Sequence, residues 1–172
     1  MDVGLLIMRL AVGGFVAAHG VQKLTCRWGG GGLAASIEEF RDDGFIGGWA
    51  TALLAGGTQI GAGFGLAAGL LTPLMAAGVT GVMTVAVTVK LPKGFWAQRD
   101  GYEYPAFLAL TAIAIAWTGP GRYSLDAIMG LTRDWTAWPA VAATVIGIGA
   151  ALAMRLALHR PQLAAKTEGR LA

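Results

Sequence analysis

Three side chains able to carry charge or move protons, Arg9, His19 and Lys23, interrupt the first apolar stretch of the chain. If that stretch is helical, at about 100° per residue all three fall within an arc of about 80°. One side of the helix then carries them all. Arg9 lies about 9 Å from the helix start, and His19 and Lys23 lie near its far end, so the arc holds two sites. At the far end, the segment Asp100-Gly101-Tyr102-Glu103-Tyr104-Pro105 is expected at the same level, with Glu103 as the counter-ion and Tyr102 and Tyr104 beside it. A neutral imidazole next to a lysine and a carboxylate could bond both carbonyl oxygens of a quinone or relay its protons, since histidine titrates near neutrality. The same residues could instead lock helices together through buried pairs, and the sequence leaves both readings open.

At the near end, Arg9 is expected to meet Asp126, or Asp2 about one turn above it, with Arg122 in the same region. Gln59 falls about ten residues into the second apolar stretch, close to mid-membrane, and needs an interior hydrogen-bond partner. A single cysteine, Cys26, excludes an internal disulfide, a CxxC redox pair and a CxxCH haem attachment. It reads as an interfacial thiol, because no base is fixed near it. The two histidines, His19 and His159, make no recognisable metal site, and no covalently bound cofactor is expected.

The elements that must position these groups follow from composition. In 172 residues only 13% are charged while 55% are hydrophobic, against about 25% charged in soluble domains. A water-soluble domain is therefore excluded, and an all-α membrane bundle is expected. The small basic excess is spread along the chain, which argues against a nucleic-acid partner. Five apolar stretches are long enough to be spans: residues 3–24, 49–71, 74–91, 104–117 and 138–158. The first is longer than a signal peptide's apolar region and follows Asp2 rather than a basic segment, so it reads as a retained helix. Thr72-Pro73 demands a very tight turn between the second and third. Trp28, Trp49, Trp96, Trp117, Trp135 and Trp138 all fall at or just beyond span ends, as an interfacial aromatic belt requires.

With five alternating spans, ten basic residues share one face: Lys23, Arg27, Arg41, Lys90, Lys93, Arg99, Arg155, Arg160, Lys166 and Arg170. The other face has Arg122 and Arg133. The positive-inside rule then places the N-terminus outside and the C-terminus in the cytoplasm. Ser36-Ile37-Glu38-Glu39 has capping-box spacing and opens a short surface helix ending by Gly44. Leu125, Ile128 and Met129 form the apolar stripe of a second interfacial segment. Gly57, Gly61, Gly65 and Gly69 recur every four residues and are expected to form the close helix contact. Thr80, Thr84, Thr88, Thr111 and Thr118 read as packing residues bonding helix carbonyls.

Taken in order, Arg9, His19-Gly20-Val21-Gln22-Lys23, Gly101-Tyr102-Glu103-Tyr104-Pro105 and Gly119-Pro120-Gly121-Arg122-Tyr123-Ser124-Leu125-Asp126 resemble the DoxX family of small bacterial integral membrane proteins. The resemblance covers about residues 3–130. It implies a four-helix transmembrane bundle (residues 1–130) in the bacterial plasma membrane and an association with redox complexes. Relatives include the membrane part of thiosulfate–quinone oxidoreductase and subunits grouped with superoxide dismutase and sulfurtransferase. Two features depart from the family: Gln59 stands where a glutamate is common, and a fifth span lies within residues 131–160. That span, with Ala143, Gly147 and Ala151 as its small-residue face, is expected to dock a partner, ahead of a polar tail at 161–172. The resulting expectation is an accessory, quinone-contacting subunit of a redox assembly, bound by lipid and other membrane proteins. An architectural subunit is the alternative. A transporter is less favoured, because no repeat is found and Pro73 is the only helix break.

Overall fold

A computed structural model describes residues 1–132 and 136–161. Long helices occupy the five expected stretches: α1 (Asp2–Leu24), α3 (Trp49–Ala68), α4 (Thr72–Lys90), α5 (Glu103–Thr118) and α7 (Ala137–Leu158). Between them lie α2 (Gly32–Asp42) and the one-turn α6 (Leu125–Ile128). No strand is found among the described residues. By length and composition, α1, the stretch Thr72–Lys93 and α7 can each cross a membrane. The 16 residues of α5 rise about 24 Å. In α3, 20 residues are diluted by glycine and alanine. Both helices complete the bundle by packing against the longer ones.

Neighbours alternate in direction. On α1 and α3, Gly13 meets Gly63 while Gly20 meets Gly56, so the two helices are antiparallel. A Cβ on Gly63 would lie 2.6 Å from the Ala17 nitrogen, and one on Gly20 would lie 2.6 Å from the Gly56 carbonyl. The backbones therefore touch, and this is the closest seam of the bundle. The expected seam is corrected. Beside Gly57 and Gly61 an added Cβ would meet nothing within 4 Å, Gly65 borders the flexible Met75 side chain, and Gly69 is a C-cap with φ +65°. The reason is geometric: four-residue steps drift about 40° each, so residues 57–69 wind around the helix, whereas seven-residue steps drift only about 20°.

The turn between α3 and α4 is as tight as Thr72-Pro73 requires. Gly69 and Leu71 both adopt left-handed conformations, and Pro73 sits in the first turn of α4. Helix α7 runs parallel to α4: Gly147 lies against Ala77 and Thr80, and Ala151 clusters with Val85. The small face Ala143, Gly147 and Ala151 is therefore buried inside this chain, which corrects its assignment as a partner-docking surface. Val16, Leu66, Val79, Ala112 and Ile115 form the fully buried centre of the core.

Helix α2 starts at Gly32 rather than at a Ser36 cap. Ser36 is buried, and its hydroxyl donates to the Lys23 carbonyl at 2.8 Å, so it ties α2 to the end of α1 instead of capping. The far end of α7 is fixed to the α2–α3 loop by bonds from Ile46 N to Leu158 O (2.9 Å) and from Arg160 N to Gly44 O (2.8 Å). Trp28, Trp49, Trp96, Trp117 and Trp138 are exposed at helix ends, as an aromatic belt requires. Trp135, Arg133 and the tail from 162 onward lie outside the described residues.

Candidate functional site

The bundle holds three polar places. At the Asp2 end, Arg9 is fully buried and its Nη2 donates to the Tyr123 carbonyl, while Nε and Nη1 have no protein partner among the described residues. Its guanidinium lies against Gly69, where any Cβ would strike it. Asp126 is also buried, but its carboxylate is committed to α4: it accepts from Leu71 N at 2.6 Å and Thr72 N at 2.8 Å. The main chain of Asp126 returns a bond from its N–H to Gly69 O at 2.8 Å. A side chain from the distant one-turn helix α6 thus caps α4, placing a carboxylate at its N-terminus where free N–H groups and the helix dipole favour it. The Tyr123 carbonyl, not the Asp126 carboxylate, takes the direct bond from Arg9. Arg122 pairs with Asp2 through Nε at 3.0 Å and backbone N at 3.0 Å, so Asp2 is not a partner of Arg9.

At the other end, the expected cluster of His19, Lys23, Tyr102, Glu103 and Tyr104 divides. His19 Nε2 lies 3.1 Å from the Tyr104 hydroxyl, with the rings edge to face at 5.6 Å. Lys23, however, pairs with Glu39 at 2.6 Å and lies 5.2 Å over the Phe40 ring. Glu103 is not its counter-ion. The Glu103 carboxylate accepts from Ala97 N at 3.0 Å, its N–H donates to Phe95 O at 2.9 Å, and Tyr102 stacks edge-on against Phe95 at 5.4 Å. The physical reason is the loop at residues 29–32, which turns α2 back against the end of α1 and delivers Glu39 first. Nothing in the spacing of Lys23 and Glu39 announces this. A neighbouring acid, Asp43, has its carboxyl pushed above the ordinary range by burial and then by the charge of Glu39. Asp100 is held below that range by hydrogen bonds from Lys90 and Lys93.

The third place is Gln59. It is 6% exposed, its Oε1 has no partner, and it borders a cavity of about 420 Å³ over the face of α4 between α3 and α7. Among the described residues, no interior partner donates to that oxygen. Thr88, Thr111 and Thr118 bond carbonyls three or four residues back in their own helices. Cys26 is a free, exposed thiol. No group of three or more His, Cys, Asp or Glu among the described residues could hold a metal ion.

No curated protein and no solved structure matches the chain. The profile of the DoxX family does, over residues 4–92. The matched region takes in α1 to α4 and with them Arg9, His19, Lys23 and Gln59; Tyr104 and Asp126, which complete two of the polar places, lie beyond it. A helical bundle with long apolar spans and a family match over more than half of its length make this chain a member of the DoxX family of membrane proteins.

Proposed function

We propose that the chain is an accessory membrane subunit of a redox assembly in the bacterial plasma membrane, and that it contacts a quinone at His19 and Tyr104. The observation that carries this reading is the hydrogen-bonded imidazole–phenol pair at one rim of the bundle, on side chains exposed at its surface. Such a pair can bond a quinone carbonyl and exchange a proton with its reduced form, since imidazole changes charge near neutral pH. Electrons belong to a partner subunit in this reading, and DoxX proteins are often linked to redox functions.

The test is isolation from native membranes in mild detergent, with bound quinone and co-purifying proteins identified by mass spectrometry. His19→Ala and Tyr104→Phe should each lower bound quinone at least fivefold while leaving the thermal unfolding midpoint within a few degrees. Equal quinone in wild type and both variants sinks the site. Membrane partners without redox cofactors would favour the architectural reading, which draws on how much of the polar chemistry, Arg9 and Asp126 above all, is spent on joining helices. The same reading places Met1 outside and the end of α7 in the cytoplasm, on the basic-residue asymmetry. Reporter fusions after Arg160 should be active only on the cytoplasmic side.

A further inference from the structure

Helices α3 and α7 both pack on α4, but not extensively on each other, and leave a groove along its face. Ala77, Gly78, Gly81, Ala86, Ala150 and Ala151 line it, and their small side chains keep it hollow. It encloses about 420 Å³, within the range of small-molecule sites. From Lys90 to Leu74 it follows α4 for a rise of about 24 Å, more than half of a hydrocarbon core about 30 Å thick. An apolar slot that starts at one end of the bundle and runs this far inward suits one acyl chain of a lipid.

The mouth decides the head. It lies where α1 and α4 end, with Trp28, Trp49 and Trp96 exposed at the same end of the bundle, and so at headgroup depth. Lys23, Glu39, Asp43 and Lys90 line it, and charge there is unevenly shared. On the α4 side, Lys90 and Lys93 both pair with Asp100, so two cations have one carboxylate. On the α2 side, two acids have one cation: Glu39 holds Lys23 at 2.6 Å, and Asp43 has no ion-pair or hydrogen-bond partner among the described residues. Burial and then the charge of Glu39 push the Asp43 carboxyl up, as befits an acid without a bonded counter-ion. Lys90 and Lys93 are near enough to act on it without bonding it. The mouth therefore sums to zero but is polarised, with a positive surplus beside α4 and a negative one beside α2. A head that carries both signs complements it.

We propose that this groove is a site for phosphatidylethanolamine: one acyl chain lies along α4, the phosphate meets Lys90 and Lys93, and the primary ammonium donates to Asp43. A phosphoglycerol head supplies the anion but no cation for Asp43. A choline head supplies the cation without an N–H, and so forgoes a charge-assisted hydrogen bond. The site is separate from the His19–Tyr104 pair and stands without the quinone reading.

The test is native mass spectrometry of the whole chain in mild detergent, titrated with phosphatidylethanolamine, phosphatidylcholine and phosphatidylglycerol carrying the same acyl chains. Phosphatidylethanolamine should bind tightest, by about fivefold, the upper end for an exposed ion pair, because Asp43 is half-buried. Asp43→Asn should bring it down to the level of phosphatidylcholine. Lys90→Gln should weaken all three lipids, since all carry the phosphate. Ala150→Leu, which fills the groove wall, should also weaken all three, whereas Val145→Phe on the exposed side of α7 should not. Circular dichroism verifies that each variant is folded; Asp43 bonds no partner and Ala150 is exposed, so neither change removes a packing contact. Equal binding of phosphatidylethanolamine and phosphatidylcholine, or no loss in Asp43→Asn, overturns the ammonium contact. No loss in Lys90→Gln overturns the phosphate contact, and tighter binding of phosphatidylglycerol overturns the zwitterionic head. Phosphatidylethanolamine bound equally by Ala150→Leu and wild type overturns the groove.

Discussion

Arg9 shows how a single residue can join several elements: it reaches from α1 to the carbonyl of Tyr123 and fills the space left by the missing side chain of Gly69. Arg9→Met removes the donor to the Tyr123 carbonyl and leaves that acceptor unpaired, a loss of about 1–3 kcal/mol, while the Asp126 carboxylate keeps its own two N–H donors. Arg9→Met should therefore lower the unfolding midpoint in detergent. Asp126→Asn should do less damage, since the amide oxygen can still accept from Leu71 or Thr72. Equal, small effects from both would remove the network from the account of stability. A second residue-scale prediction concerns pH. The fold raises the Asp43 carboxyl above its ordinary value, so its neutral form is favoured there. Its contribution is therefore present below about pH 4 and lost as pH rises through the raised value. Asp43→Asn should raise the unfolding midpoint at pH 7 and make no difference near pH 3.5, and a uniform shift across that range would contradict the assigned cause. Arg9 and Lys23 could be read from the sequence because a charged group inside an apolar stretch stands out. Their partners could not, because Tyr123 offers a backbone atom and Glu39 arrives by a loop turn, neither of which has a side-chain signature.

At the scale of helices, sequence periodicity located the elements well but named the wrong glycines. The uncharged stretches, Pro73 in the first turn of α4 and the flanking tryptophans mark helix positions to within a few residues. The four-residue glycine repeat looked like a seam, yet two of its members face open space and the contact is made by Gly13, Gly20, Gly56 and Gly63. The seven-residue spacing within each of these pairs was the available signal, since it keeps to one face of a helix. This yields a paired test. Gly63→Leu puts a side chain into the Ala17 backbone and should destabilise the bundle by about 3 kcal/mol or more, at or above the upper end of overpacking costs. Gly61→Leu, two residues away, meets nothing and should leave the midpoint unchanged or slightly higher. If the two variants behave alike in detergent melts, the α1–α3 seam does not run through Gly63.

For the whole molecule, five long helices of alternating direction followed from the apolar lengths, but the place of the fifth did not, because small residues on a helix fit a neighbour in the same chain or in another. The structure puts α7 parallel to α4, with Gly147 against Ala77 and the helix end tied to Gly44 and Ile46. It forms one wall of the groove, so it belongs to the fold rather than to a docking surface. The distinction can be measured on one helix with two glycines. A Cβ on Gly147 would lie 2.7 Å from the Ala77 carbonyl and 3.0 Å from Thr80 Cβ, whereas one on Gly149 would meet nothing within 4 Å. In the bilayer, close packing must replace the hydrophobic drive that holds helices together in water, so losing that approach weakens the helix pair directly. Gly147→Leu should therefore lower the unfolding midpoint of the isolated chain in detergent, and Gly149→Leu should not. If instead Gly147→Leu melts like wild type but loses the proteins that co-purify with it, α7 packs on a partner and the arrangement with α4 is wrong.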